Sequence, residues 1–401
     1  MSILIIESIY LKAQEAADAL GVTRATLYAY TSRRQLRSEP VPGQPRTRRY
    51  YREEIERLRE QKESRRDPAK AAQRGLHWGG PVLDSGITLI EKGKLYYRGQ
   101  DALKLAREST LEEVAELLWM AEPTEKLFEQ PAVFSERQIR SLRTAPLALL
   151  QTVVPLAGAA DLSAFDLRPA GVRLTGARIL RLLTTAITGC DSNLPMHRAI
   201  QSAWAPKNPA LSDVIRAALI VSADHELNAS AFVARCAASA GASPYDVVSA
   251  ALATLKGYKH GGESERVLAL LAEIGKPERC RTVIANRLRR GERLPGFGHP
   301  LYPEGDPRAA LLLNLAEAAG NQKQWQLLRR LKKAGWELLH VHPNLDFGLV
   351  AVARAYGLPE HAPLLLFALG RTGGWIAHAM EQYALGELIR PRARYTGPAP
   401  A

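Results

Sequence analysis

Cysteine is scarce in this sequence of 401 residues. The three cysteines, Cys190, Cys236 and Cys280, are widely spaced, and none belongs to a Cys-X-X-Cys pair. A disulfide framework needs more cysteines than this, and a structural zinc site usually takes its ligands from closely spaced pairs. We therefore expect no metal site, and the scattered thiols are typical of a reducing compartment such as the cytoplasm.

Long hydrophobic runs are also missing. No stretch approaches the ~20 apolar residues that a membrane-spanning helix requires, and the opening "MSILIIESIY" lacks the basic region of a signal peptide. No glycine-rich nucleotide fingerprint follows a strand pattern. The absence of a membrane-spanning run and of a signal peptide argues against a membrane protein, so we expect a cytoplasmic protein without a membrane partner.

Strand patterns are few. Only "DSGITLIEKGKLYYRGQ" alternates apolar and polar residues around a turn, and it predicts a short β-hairpin. The next segment, "STLEEVAELLW", has helical spacing and a capping box predicted from Ser109 to Glu112. Nearly all later segments show helical spacing, so this part of the chain is predicted to be mainly α.

Positive charge is in excess and is unevenly distributed. The net charge is +13, and residues 1–75 contain 16 basic and 10 acidic residues, which is nearly half of the excess in under a fifth of the chain. A basic N-terminal module suggests nucleic acid as a partner, and the remaining charge could attract small anions.

The first 62 residues have the spacing of a helix-turn-helix. In "LKAQEAADALGVTRATLYAYTSRRQL", Gly21 is placed to end one helix and Thr23 to cap the next. A basic, tyrosine-containing turn segment, "VPGQPRTRRYY", and a third helix, "REEIERLREQK", follow. This order resembles the MerR-type winged helix-turn-helix, in which the second helix enters the major groove and the wing contacts phosphate. The resemblance implies DNA contacts from Arg24, Arg48 and Arg49, and a helical domain for protein contacts is the alternative.

A polar segment, residues 63–75, is predicted to be a linker to a second module, residues 76–401. In this module, "RLPGFGHPLYPEGDPRA" holds a histidine between two turns. Gly296 and Gly298 permit backbone angles that other residues avoid, and the prolines prevent a continuous helix. His299 therefore lies on a stiff loop, closely followed by Arg308. Fixed donors of this kind suit a polar ligand, although an ordinary surface loop can have the same composition.

Several segments occur in an order that resembles citrate synthases. They are "GKLYYRGQ", "SADHELNASAFVAR", "LKGYKHGGESERV", "LPGFGHPLYPEGDPRA", "HPNLDFGLVAVARAYGLP", "LFALGRTGGWIAHAMEQ" and "IRPRARYTGP". The resemblance covers roughly residues 76–401. It implies an all-α body with a large domain and an inserted small domain, here roughly residues 261–350, and it implies a homodimer.

The resemblance also implies roles for individual residues. His260 and Asp346 would act on the acyl-CoA, and His299 would polarise the keto group of oxaloacetate. The residues expected to bind oxaloacetate are His225, Arg308, Arg371 and Arg390, and those expected to bind CoA are Pro295, Gly296, Phe297 and Gly298. The nearby Arg289, Arg290 and Arg293 could contact the CoA phosphates or form a solvated basic stretch. No cofactor is implied beyond the two substrates.

These residue types suit the chemistry. The α-proton of a thioester is very weakly acidic, so a carboxylate base succeeds only if a hydrogen bond to the thioester oxygen stabilises the enolate as it forms. One histidine could donate that bond, and a second could activate the acceptor ketone. Arginines bind a dicarboxylate well because their planar donor groups match carboxylates bidentately.

Each of these residues also has an ordinary structural explanation. His260 could be a turn histidine, Asp346 a helix N-cap, and His225 a buried residue within a small, apolar helix. Arg371 differs from them, because a charge in so apolar a segment needs a partner.

The sequence departs from many citrate synthases near two of these residues. Tyr-Lys replaces Pro-Leu before His260, and Glu263 and Ser264 replace Ala-Asn after it. Around Asp346 the sequence is "LDFGLVAV" rather than Asp-Phe-Tyr-Ser-Gly. These differences bear on the acyl group and the rate more than on the class of reaction.

The resemblance implies an acyl-CoA:oxaloacetate C-acyltransferase that forms citrate and CoA from acetyl-CoA, as in the tricarboxylic acid cycle. One alternative is propionyl-CoA as the substrate, which would give 2-methylcitrate. Another is a DNA-binding regulator whose body senses an acyl-CoA or keto acid without turnover. The complete catalytic set favours the enzyme, and the helix-turn-helix favours the regulator.

Overall fold

The computed structural model describes residues 10–33, 36–41, 44–52, 54–55, 58, 83–122, 124–129, 133–142, 144–319, 322–393 and 395–398. The chain forms two compact units, Met1–Asp84 and Ser85–Ala401. The predicted linker, the predicted start of the second module at residue 76 and most of the predicted third helix lie outside the described residues.

The first unit combines two helices with a small sheet. Its elements are β1 (Tyr10–Lys12), α1 (Ala13–Leu20), α2 (Arg24–Ser32), β2 (Ser38–Val41) and β3 (Gln44–Tyr51). The strands are antiparallel in the order β1-β3-β2. Gly21 ends α1 with a left-handed φ of 59°, and the Thr23 side chain caps α2, as predicted. Leu27 and Tyr50 are buried in the core of this unit.

The second unit begins with a hairpin and continues almost entirely as helices. The strands are β4 (Thr88–Glu91), β5 (Lys94–Tyr97) and β6 (Gln100–Asp101). The helices are α3 (Ala102–Glu108), α4 (Leu111–Trp119), α5 (Glu136–Ser141), α6 (Pro146–Ala160), α7 (Pro169–Thr188), α8 (Met196–Trp204), α9 (Leu211–Val221), α10 (Ala229–Ser239), α11 (Pro244–Leu255), α12 (Glu263–Ile274), α13 (Cys280–Arg289), α14 (Pro307–Ala319), α15 (Gln322–Leu339), α16 (Leu345–Tyr356) and α17 (Ala362–Leu385). Short 3-10 turns cover Leu127–Glu129, Leu162–Phe165 and Pro277–Arg279. The predicted mainly helical body with its N-terminal hairpin is confirmed.

The capping box of α4 differs by one residue from the predicted one. Thr110 and Glu113 form it through reciprocal hydrogen bonds of 3.2 and 2.7 Å. Ser109 is instead the C-cap of α3, one residue after the end of that helix. The Ser109 N–H donates to Leu105 O and so closes α3, and the Thr110 side chain then accepts from Glu113 N at the start of α4.

One continuous core holds the second unit together around α17. This helix has 24 residues, and its segment from residue 362 to residue 379 is buried on every side. It packs against α7, α9, α10 and α11. Removal of these apolar surfaces from water is the main stabilising contribution. In the described parts of the chain, no helix is long and apolar enough to cross a membrane.

The helices in the region predicted to be the small domain pack chiefly on one another. α14 and α15 pack against α16, and α13 packs against α15. The loops at the ends of these helices and of α9 and α11 carry most of the residues predicted to act in catalysis. Loops positioned by rigid helices are a common place for functional side chains.

Candidate active site

The Pro-Gly-Phe-Gly turn is fixed by its neighbours. Gly296 has a φ of 79°, and a Cβ atom there would lie 2.6 Å from Val267 Cγ2, so only glycine fits. Asn344 N donates to Gly296 O at 2.9 Å, and Phe297 is buried in the core. These contacts fix the backbone from which the His299 side chain extends.

His299 has a defined donor nitrogen. Its Nδ1 accepts a hydrogen bond from Leu301 N at 3.2 Å, so the proton of the neutral ring is on Nε2. Burial, and then the charge of Arg308, lowers the pKa of His299 to about 4. The ring is therefore neutral at pH 7, with its proton on Nε2.

Arg308 is buried and is held by a carboxylate of its own loop. Its Nε and Nη2 donate to the two oxygens of Asp306 at 2.9 and 2.8 Å, and Asp306 also accepts from Leu345 N at 3.1 Å. The guanidinium carbon lies 5.3 Å from the centre of the Tyr302 ring. Nη1 has no hydrogen-bond partner among the described residues, so it could donate to a bound anion.

His225 lies in the loop between α9 and α10, and the prediction that it belongs to a helix is wrong. The helix starts later because the Asn228 side chain caps α10. His225 Nε2 is 3.0 Å from the Tyr302 hydroxyl, and its ring centre is 5.0 Å from that of His299. Burial, and then the charge of Arg308, holds the pKa of His225 well below its usual value, so this ring is also neutral.

Arg371 projects from the middle of α17 and is 1% exposed. Its helix closely approaches the end of α9 because Gly370 and Gly374 lie on either side of it. A Cβ atom at Gly374 would be 2.4 Å from Ala223 O. The close approach lets Arg371 Nε donate to Ser222 O at 2.6 Å. Burial lowers the Arg371 pKa to about 10, so the guanidinium is still charged at pH 7.

His260 lies in the turn between α11 and α12 and is anchored through one ring nitrogen. Its Nε2 is 2.8 Å from Ser230 Oγ, and Trp375 Nε1 donates to the same oxygen at 3.1 Å. Nδ1 has no partner within the described parts of the chain. Burial, and then the charge of Arg371, lowers the His260 pKa to about 3, so the ring is neutral.

Asp346 lies in the first turn of α16 but does not cap it. Asn344 is the N-cap, and its side chain accepts a hydrogen bond from Phe347 N, which removes the ordinary explanation for Asp346. Asp346 Oδ1 accepts a hydrogen bond from Ser264 Oγ at 2.6 Å. Burial raises the Asp346 pKa to about 7, although this hydrogen bond acts in the opposite direction. A carboxylate with such a pKa is a stronger base than an ordinary one and is still partly ionised at neutral pH.

These side chains form one cluster. The charge of Arg308 affects the pKa values of His225, His299 and Asp346, and that of Arg371 also affects His225. The structure brings together His225, His260, His299, Arg308, Asp346 and Arg371. Fixed cations, neutral imidazole donors and a carboxylate base are suited to removing a proton next to a carbonyl group while an anionic partner is bound.

Arg390 is not part of this cluster. It is exposed on the tail that follows α17, and within the described part of one chain no contact joins it to the other site residues. Of the residues predicted to bind CoA, Pro295, Gly296 and Phe297 are buried, whereas Gly298 is exposed. Gly298 is thus the residue of this turn that is open to solvent.

The three arginines predicted to contact DNA differ in their surroundings. Arg24 on α2 and Arg48 on β3 are exposed. Arg49 lies 3.9 Å from the centre of the Tyr10 ring and forms an ion pair of 3.3 Å with Glu39. Two of the three are thus open to solvent, and Arg49 is engaged within its own unit.

Sequence reasoning missed four residues that support the cluster, namely Ser230, Ser264, Tyr302 and Asp306. Tyr302 and Asp306 lie in the same stretch as His299 and Arg308, "RLPGFGHPLYPEGDPRA". An aspartate two residues before an arginine that needs a partner was a usable signal. The two serines each lie in the first turn of a helix beside a site segment, and their partners are distant in sequence, so no local signal identifies them.

Two protein families match separate parts of the chain. Residues 75–392 match the family described as "Citrate synthase, C-terminal domain", and residues 10–63 match the family described as "Helix-turn-helix domain". The first match spans about four fifths of the chain.

Individual relatives show the same likeness. "Citrate synthase 2" of Bacillus subtilis (strain 168) is 31% identical over 359 residues, which cover 82% of this chain and 96% of the relative. A "2-methylcitrate synthase" of Mycobacterium tuberculosis (strain ATCC 35801 / TMC 107 / Erdman) is 30% identical over 358 residues, which cover 79% and 89%. A solved ternary complex of carboxymethyl coenzyme A and oxaloacetate with citrate synthase from Thermoplasma acidophilum matches with a TM-score of 0.72 at 26% identity, covering 82% of this chain and 97% of that one.

Proposed function

Since the chain belongs to the citrate synthase family of acyltransferases, we propose that it condenses acetyl-CoA with oxaloacetate and hydrolyses the product thioester to citrate and free CoA. The observation that carries this proposal is the cluster of one carboxylate base, neutral histidine donors and two buried arginines. Formation of citrate from these substrates would place the protein in the tricarboxylic acid cycle.

The first step of this reaction is removal of a proton from the α-carbon of acetyl-CoA. The Asp346 carboxylate takes the proton. His260 Nδ1 donates a hydrogen bond to the thioester oxygen, where negative charge develops, while the unprotonated Nε2 accepts from the Ser230 hydroxyl group. A neutral imidazole can stabilise this enolate without being a strong acid.

In the second step the enolate carbon attacks the keto carbon of oxaloacetate. His299 Nε2 donates to the keto oxygen, which becomes the hydroxyl group of the citryl thioester as it gains a proton. Arg308, Arg371 and His225 bind the two carboxylates of oxaloacetate, which keeps the ketone beside the enolate. Water then cleaves the thioester bond and releases CoA as the free thiol.

Phe367 supports acetyl rather than propionyl as the acyl group. Its ring is edge-on to His260, with the two ring centres 5.8 Å apart, and the Arg371 guanidinium carbon is 4.9 Å from the Phe367 ring centre. A bulky ring beside His260, which is proposed to hold the thioester oxygen, limits the space for an extra methylene group in the acyl chain. Propionyl-CoA is the alternative, and the 30% identity to a 2-methylcitrate synthase supports it.

Release of free CoA thiol by the purified protein tests both substrates. With oxaloacetate present, we expect kcat/KM for acetyl-CoA to exceed that for propionyl-CoA by about tenfold or more, the usual effect of one methylene group. Mass spectrometry should identify citrate. A higher kcat/KM for propionyl-CoA would assign 2-methylcitrate synthesis. Binding of oxaloacetate without CoA release from either thioester would favour a sensing body.

The first unit supports a second activity, and we propose that it binds duplex DNA. It combines a helix-turn-helix with Arg24 exposed on α2 and Arg48 exposed on β3, which forms a two-stranded wing with β2. Basic side chains on these two elements could contact phosphates on either side of the groove that α2 would enter.

Replacing Arg24 and Arg48 with alanine should weaken duplex binding and reduce its dependence on salt. Each phosphate contact that is lost should lower the slope of log K against log salt concentration by about one. Lys104→Ala changes an exposed cation of the second unit and should leave DNA binding unchanged. If the wild-type protein shows no salt-dependent binding of duplex DNA, contact with another protein is the better account of this unit.

A homodimer is the third part of the proposal. The exposed tail that carries Arg390 supports it, because the cluster of one chain has three of the four residues expected to bind oxaloacetate and lacks this arginine. A tail reaching a second copy of the chain would supply it.

A further inference from the structure

Two residues in the first turn of α12 contact the catalytic elements, and the reaction steps above do not account for their presence. The Ser264 hydroxyl, on a residue that is 1% exposed, donates to Asp346 Oδ1 at 2.6 Å. Glu263 Oε1 accepts a hydrogen bond from Gly296 N at 3.0 Å, in the turn that leads to His299. These are the two positions at which the sequence departs from the Ala-Asn of many citrate synthases.

We propose that Ser264 is a positioning residue for the base Asp346, and that it makes Oδ2 the oxygen that receives the substrate proton. The inference rests on the proposed condensation, in which Asp346 is the base. An ionised carboxylate has no proton, so the hydroxyl group must be the donor in this contact. The contact is therefore strongest in the form of Asp346 that acts as a base. Because Ser264 is buried, water does not compete for its hydroxyl group.

The Asp346 carboxylate is influenced by charges from each element packed around it. Glu263 on α12 and Asp306 before α14 oppose its ionisation, and Arg308 favours it. Arg371 on α17 also interacts with it electrostatically. Removal of the Ser264 hydroxyl group should therefore raise the pKa of Asp346, and removal of the Glu263 charge should lower it.

Two substitutions at adjacent positions should therefore move the pH dependence of kcat in opposite directions. Ser264→Ala removes a donor that stabilises the carboxylate, so the acid limb should move to higher pH by about one to two units. Glu263→Gln removes a negative charge but keeps an oxygen that can accept from Gly296 N, so its acid limb should move to lower pH. Ser264→Thr keeps the hydroxyl group and should restore the wild-type profile.

A merely structural role for Ser264 has a different signature. In Ser264→Ala it would lower kcat by the same factor at every pH, and the acid limb of that variant would stay in place. That result, or a wild-type profile in Ser264→Ala, would overturn the proposal.

Direct titration of the carboxyl group separates this inference from the proposed function. Carbon-13 NMR of labelled aspartate carboxyl groups follows ionisation without turnover, and the Asp346 signal is the one missing from Asp346→Asn. We expect its midpoint to be higher in Ser264→Ala than in the wild type. Equal midpoints would contradict the proposal. A shifted midpoint in a protein that releases no CoA would support the Ser264 contact and reject the proposed reaction.

Discussion

The carboxyl group of Asp346 has a different pKa from that of an aspartate in water. An ordinary aspartate has a pKa near 4 and is a weak base toward carbon acids, whereas burial raises the pKa of Asp346 to about 7. As the proposed base, Asp346 is active only when it is ionised. We therefore expect kcat to rise as the pH increases through about 7, with His260 and His299 neutral throughout because their pKa values lie well below this range.

Asp346→Asn should lower kcat by about 10²- to 10⁴-fold, because an amide of the same shape cannot accept the proton. Affinity for oxaloacetate should stay close to that of the wild type, since the base acts on the other substrate. CoA release and calorimetric titration with oxaloacetate measure the two quantities. Asp213→Asn, which changes a mostly exposed carboxylate on α9, is the matched control and should be fully active. A large loss of oxaloacetate affinity with kcat preserved would contradict the assignment of Asp346 as the base.

The sequence predicts which residues meet in this cluster better than it predicts their protonation. His260 and His299 each belong to a short, recognisable segment. Their neutral state depends on burial by residues far away in the chain, such as Phe367 beside His260, and a local pattern contains no information about that burial. The N-cap alternative for Asp346 was removed only by Asn344, two residues earlier, whose side chain occupies the capping position.

At the scale of elements, α17 sets the position of Arg371 through two closely packed glycines. The N–H of Gly374 donates to Ala223 O at 3.1 Å, so the backbone of α17 contacts the loop that carries His225. A Cβ atom at Gly374 would lie 2.4 Å from both that oxygen and Asp224 Oδ1. The crossing of α17 and this loop therefore holds a cation and an imidazole of the site at a fixed distance.

Gly374→Ala should push α17 away from this loop and damage the site. We expect a loss of about 1–3 kcal/mol in the free energy of unfolding, as for other overpacked cores, and a several-fold increase in KM for oxaloacetate. Gly373→Ala, at the adjacent position, is the matched control, because the nearest atom to its Cβ would be 3.8 Å away. Denaturant titration and steady-state kinetics of both variants test this. Equal behaviour of the two would show that close packing at Gly374 does not position the site.

The elements themselves were largely predictable, and their crossings were not. Helical spacing, the β4–β5 hairpin pattern and the turn at Gly21 identify structure from local sequence alone. The local sequence does not predict β1, because its three residues pair with β3 nearly forty positions later. The contact between α17 and the loop after α9 joins residues about 150 positions apart, so it follows from tertiary packing.

At the scale of the whole molecule, the position of Arg390 bears on whether one chain or two form each active site. The other predicted oxaloacetate ligands lie in the cluster of one chain, whereas Arg390 is exposed on the tail after Gly386, the residue that ends α17. If the tail completes the site of a second copy, each active site contains residues of both subunits. An isolated subunit would then bind oxaloacetate incompletely, and activity would require the dimer.

Mixing two inactive variants tests this arrangement. His299→Ala and Arg390→Ala homodimers each have two damaged sites, but a mixed dimer would have one site with both lesions and one with neither. Random pairing of equal amounts should therefore restore about one quarter of wild-type activity, by the two-fold symmetry of such a dimer. Mixing His299→Ala with Asp346→Asn is the control and should restore nothing, because both residues belong to the cluster of one chain and every mixed dimer keeps two damaged sites. If the first mixture exchanges subunits and stays inactive, Arg390 does not serve the partner's site.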